Sequence, residues 1–110
     1  MLLNKGKTLG IFQKRTTEEN RIGETVSTWT DIASRNGWLD YSAGESQYRT
    51  YDSKIQDSTH IFICDYFPLN LSSRDGRMLI EGKTYDILLV DNPMEMDRQL
   101  EIYLRYVEGT

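Results

Sequence analysis

The side chains with reactive chemistry to offer are few and far apart. His60 is the sole histidine and Cys64 the sole cysteine of the 110 residues. One histidine makes no zinc pair, and no Gly-x-Ser-x-Gly elbow is present to supply it with a serine nucleophile. Cys64 closes the apolar run Ile61-Phe62-Ile63, where it reads as a small core residue. Nothing basic adjoins it in sequence to lower its pKa and make it reactive. A lone cysteine also rules out a disulfide framework and fits a reducing compartment. Gly82-Lys83-Thr84 imitates the end of a phosphate loop, but Arg77 stands where that loop needs its first glycine, and a strand follows instead of a helix. Gly6-Lys7-Thr8 fails for the same reason. Glu18-Glu19, Asp91 and Asp97 are loop carboxylates expected to stay solvated. No catalytic residue, metal ligand or cofactor site emerges, and a non-enzymatic role is expected.

Thirteen basic against seventeen acidic residues give a formal charge of −4. That balance disfavours a binder that works by neutralising nucleic-acid phosphates. No apolar run is long enough to span a bilayer. The opening Met1-Leu-Leu-Asn-Lys-Gly-Lys7 lacks the charge-then-apolar order of a secretory signal. A soluble intracellular product is expected. Hydrophobic content of 38% and charged content of 27% match a globular chain with a single modest core.

With catalysis set aside, the residue types that point to function are those that carry binding energy at interfaces. Glu45, Tyr48, Arg49, Tyr51 and Lys54 cluster within 43–58, and tyrosine and arginine are typical contact residues. A polar insertion of that length between strands is usually functional or disordered. Ser42 and Glu45 have capping-box spacing, so a short helix over 42–53 is expected within it. A second contact loop is expected at 91–98, where Asn92-Pro93 precedes the exposed Met94 and Met96.

The elements that must position these loops read as strands. Leu9–Arg15, Val26–Ile32, Gly37–Ser42, Thr59–Phe67, Met78–Glu81, Thr84–Val90 and Gln99–Val107 each carry strand patterning. Residues 16–24 read as a polar hairpin loop and Arg35-Asn36-Gly37 as a turn. The firmest unit is the hairpin over 78–91, with Gly82-Lys83 as a type II′ loop. Its expected pairs are Ile80 with Tyr85 and Met78 with Ile87, so that Met78, Ile80, Tyr85, Ile87 and Leu89 share the apolar face. In the last strand Leu100, Ile102, Leu104 and Tyr106 should point inward, with Glu101, Tyr103 and Arg105 outward. The sum is an all-β fold: a small antiparallel β-barrel or sandwich of six to seven strands, with a long loop and at most one short helix. Residues 1–8 should form a flexible arm, and 9–108 a single domain with its inserted loop at 43–58.

The layout as a whole resembles a known family. Val26-Ser-Thr-Trp-Thr-Asp-Ile32 leads through a tryptophan strand to Ala43-Gly44-Glu45. Thr59-His-Ile-Phe-Ile-Cys-Asp-Tyr66 ends the insertion, Arg77–Val90 carries the hairpin, and Gln99–Tyr106 closes the chain. Over about residues 9–108 this pattern is similar to the head-tail joining proteins of long-tailed bacteriophages, also called head-closure or stopper proteins. The resemblance implies a virion protein, made in the bacterial cytoplasm. It would form a ring of about a dozen copies between the portal-adaptor protein and the tail-completion protein. Loop 43–58 would project into the channel, through which packaged DNA passes without specific binding. The chain departs from such proteins at Asp65, where they often carry a basic residue. Two other readings stay open: an oligonucleotide-binding barrel using an exposed Tyr103 and Arg105, and a tail-terminator-type ring protein.

Overall fold

The structure, a computed structural model, describes residues 8–41 and 57–108. It is built from β1 (Thr8–Glu19), β2 (Thr25–Tyr41), β3 (His60–Asp65), β4 (Gly76–Ile80), β5 (Lys83–Asp91) and β6 (Gln99–Tyr106), with one 3-10 turn at Pro93–Glu95. All neighbours are antiparallel. The hydrogen-bonded ring runs β1-β2-β3-β6-β5-β4 and closes where Gly10–Lys14 of β1 pair with Gly76–Ile80 of β4. Closure gives each of the six strands a neighbour on both sides over part of its length, so no strand is an edge from end to end as in a flat sheet.

The core is the inward face of that ring. Phe12, Phe62, Met78, Ile80, Ile87, Ile102 and Leu104 are all at or below 1% exposed. Alternation along β3, β4 and β6 sends every second side chain inside. Phe12 meets Phe62 and Phe67 edge-on, with centroids 6.2 and 5.4 Å apart. Cys64 lies within this core, as its sequence context indicates.

Three features differ from the sequence expectation. First, the two strands expected over 26–42 are one. Arg35-Asn36-Gly37 does not turn but stays paired with Thr8, Leu9 and Gly10. Gly37 serves packing: a Cβ there would run into the Ile63 carbonyl and the Phe62 ring. Second, 16–24 is not a loop. β1 and β2 remain paired out to Glu19 and Thr25, so only residues 20–24 turn. The Asn20 side chain accepts hydrogen bonds from the Ile22 and Glu24 amides and so shapes that turn. Third, the 78–91 hairpin turns at Glu81-Gly82, pairing Ile80 with Lys83 and Met78 with Tyr85. Both turn residues have positive φ, 52° and 77°, the signature of a type I′ turn. The shift equals two residues, so Met78, Ile80, Tyr85 and Ile87 still face inward. Leu89 does not: an irregularity between Ile87 and Leu89 changes the phase, and Val90 packs on the core instead.

On β6 the inward set holds for Leu100, Ile102 and Leu104. Tyr106, expected inside, is 37% exposed near the strand end. Tyr103, expected to be exposed, is 2% exposed, lying in register between Ile61 of β3 and Leu89 of β5. A buried Tyr103 removes the aromatic platform that the oligonucleotide-binding reading required.

Candidate functional site

The fusion and lengthening of the first strands produce a two-stranded ribbon that leaves the barrel. β1 pairs with β4 only as far as Lys14, so Thr16–Glu19 and Thr25–Thr28 have each other alone among the described strands. The molecule is accordingly long, 52 by 29 by 29 Å. Along the ribbon the side chains are threonine, serine and charge, with Val26 40% exposed and Ile22 at the tip 78% exposed. Sequence reading gives the β2 side of the ribbon as a strand over Val26–Ile32 but takes its β1 side, 16–19, as loop, because polar composition without alternating apolar residues looks like loop. The Thr16–Thr28 hydroxyl contact at 3.0 Å is the kind of cross-strand pair that holds such a segment.

The root of the ribbon is tied down by a polar relay. Arg77 Nε donates to Gln13 Oε1 at 2.7 Å, and Gln13 Nε2 donates to Asp31 Oδ1 at 2.6 Å. The Arg77 guanidinium also lies 4.2 Å from the centre of the Trp29 ring, a favourable cation–π distance. Gln13 is 8% exposed and fully used. A second tie joins β1 to the 66–76 connection: the Arg15 amide donates to the Asp75 carbonyl, and its guanidinium to the Arg74 carbonyl. Asp75 itself accepts from the Ser72 amide and hydroxyl. Those bonds favour the carboxylate and hold its pKa below the ordinary range.

Beside this root an open cleft of about 430 Å³ separates β2 from the 66–70 segment. Its walls are Ile32, Ala33, Phe67, Pro68 and Leu69, and its cationic lining groups are Lys14 and Arg35. The Arg35 guanidinium sits 4.1 Å above the Phe67 ring.

At β2's other end, Tyr41 pairs with His60, so the chain leaves and re-enters the sheet at adjacent positions. Their rings are 4.9 Å apart, His60 meets Tyr85 at 5.0 Å, and Tyr85 meets Tyr106 at 5.6 Å. His60 Nδ1 contacts the Thr59 hydroxyl at 2.9 Å. Burial, and then the charge of Lys83, hold its pKa below 6.5. Here His60 is a structural member of an aromatic row, as its isolation in the sequence suggested. The Thr59 amide donates to the Leu104 carbonyl and the Tyr106 amide donates to the Thr59 hydroxyl, so the returning chain is stitched to β6. Burial pushes the Cys64 thiol up to about 11, which leaves it protonated and unreactive at neutral pH.

Glu45, Tyr48, Arg49, Tyr51 and Lys54, and the short helix expected over 42–53, lie outside the described residues, as does most of the arm expected at 1–8. Met94 and Met96 are described and exposed, 87% and 48%. They ride on the 92–97 loop, which the Asn92 side chain braces by bonding the Asp97 carboxylate and amide.

Comparison with known proteins agrees with this architecture. The solution structure of protein SF1141 from Shigella flexneri 2a superposes with a TM-score of 0.72 over 100% of both chains, at 15% identity, a likeness of fold. Among curated proteins no sequence matches significantly. The sequence model for the phage head completion proteins matches residues 3–106, nearly the whole chain. The chain therefore belongs to the phage head completion protein family, and is a structural component of the virion that serves in closing the head.

Proposed function

We propose that this chain completes the head as a ring between the portal-adaptor protein and the tail-completion protein, with segment 43–58 reaching into the DNA channel. The observation that carries the reading is the placement of that segment's ends. Tyr41 and His60 are cross-strand partners, and Thr59 is bonded into β6. An insertion whose two ends are fixed at neighbouring points of a closed barrel starts and finishes at one place on the molecule, which is what aiming it requires. Glu45, Tyr48, Arg49, Tyr51 and Lys54 are then the residues that meet the channel or the neighbouring copies, and the exposed Met94 and Met96 form a contact with a virion partner. Methionine suits that task, because its flexible thioether adapts to irregular surfaces.

Each copy adds a formal charge of −4. A wall of such subunits repels phosphates, so packaged DNA slides past without being held, and salt weakens the repulsion. The segment therefore retains the genome by obstruction rather than by affinity. Deleting Gln47–Lys54 tests this. The barrel is expected to fold unchanged while filled heads leak DNA before tails attach. Heads that stay sealed with the shortened chain would contradict the role given to the segment.

A further inference from the structure

The ribbon and the cleft at its root are complementary, yet they cannot meet within one molecule. The ribbon tip carries Glu18, Glu19 and Glu24 against the single cation Arg21, and presents Ile22 to solvent. The cleft is apolar inside and lined by the cations Lys14 and Arg35. Lys14 faces Asp75 at 3.8 Å, a long and partly exposed pair that contributes little and leaves the lysine able to take a second carboxylate. Glu19 lies five steps along the strand from Lys14, roughly 17 Å at the rise of an extended chain. A molecule's tip is thus held away from its own cleft by the stiffness of its own ribbon.

We propose that the occupant of the cleft is the ribbon tip of a second copy of this chain. Ile22 seats between Ile32 and Phe67, and Glu18, Glu19 and Glu24 face Lys14 and Arg35. Along the cleft, β2 pairs with β3 only from Trp38 onward. Its outer backbone edge therefore has no strand partner among the described residues over 32–37, and it can accept hydrogen bonds from an incoming chain. Tip and cleft are different surfaces, so the contact is head-to-tail. A head-to-tail contact generates a ring when its rotation closes. This inference rests on the ring proposed above and names the surfaces that join its members. It also assigns the ribbon a purpose: strands whose outer part, Thr16–Thr28, projects beyond the barrel are used by the neighbour.

Disulfide trapping with the full-length chain tests the contact. Ile22→Cys and Leu69→Cys are placed in one chain, with Asn70→Cys on the same wall as the alternative should Leu69→Cys fail to fold. Under mild oxidation at millimolar concentration, the double variant is expected to give a ladder extending past the dimer, because every copy carries both halves of the contact. Each single variant should stop at the dimer. Ile22→Cys with Glu81→Cys, whose second site is the exposed turn of the β4–β5 hairpin, measures random collision. Glu18→Lys with Glu19→Lys should cut the ladder several-fold, and adding Lys14→Glu with Arg35→Glu should restore it. A ladder no stronger than that of the Glu81 pair, or one indifferent to the charge reversals, would overturn the contact. Micrographs that still show a ring in that case would leave the ring standing with other surfaces joined, whereas their showing none would remove the ring reading as well.

Discussion

Protonating His60 works against the folded chain. The imidazole is packed between Tyr41 and Tyr85, and both burial and Lys83 favour its neutral form. Its folded pKa is therefore below the 6.5 of the unfolded chain. Above about pH 6.5 neither state binds the proton and stability is flat in this group. As pH falls the unfolded chain binds first, so stability drops until the folded pKa is passed. Melting temperature followed from about pH 7 to about pH 5 should fall, and His60→Phe should flatten part of that slope. An identical slope in the variant would show that the histidine is not responsible. The sequence made the structural character of His60 legible by elimination, since no partner for chemistry exists. Which rings would enclose it was not legible, because the Tyr41 contact depends on where β2 ends.

At the scale of elements, the ribbon stands or falls at its root. Gln13 is the hinge of the Arg77–Gln13–Asp31 relay and is nearly inaccessible to water. Gln13→Leu leaves Arg77 Nε and Asp31 without that partner, a loss of about 1–3 kcal/mol. Urea unfolding should show this as a lower midpoint with an unchanged slope. No change would mean that water replaces the glutamine at no cost. The reading of the elements from sequence failed in a patterned way. Apolar alternation located Met78, Ile80, Ile87, Ile102 and Leu104 inside, because inward burial leaves a period of two. It did not locate the outer half of β1, where both faces are wet and the period vanishes, whereas Val26–Ile32 opposite it read as strand from its β-branched residues. Gly37 was read as a turn signal because a glycine needed for close approach to Phe62 carries the same letter as one needed to bend the chain. The Glu81-Gly82 turn was misplaced by one residue, since nothing local shows that Glu81 will accept positive φ.

For the molecule as a whole, the closed ring of strands explains how so short a chain remains folded while presenting separate surfaces. The barrel buries one continuous core from Phe12 to Leu104. The ribbon and the 92–97 loop both arise outside it and can differ without disturbing it. The all-β class and the family were both legible in the sequence, because strand spacing survives where individual residues do not. The ribbon-to-cleft match was not, as it joins residues 18–24 to a cleft built from 14, 32, 33, 35 and 67–70. Electron microscopy of isolated heads carrying this protein tests the central claim most directly. The expected result is a single ring of this chain at the portal vertex, with the 43–58 segment entering the channel. Density for the chain elsewhere on the head, or a ring at the vertex with that segment turned outward, would contradict it.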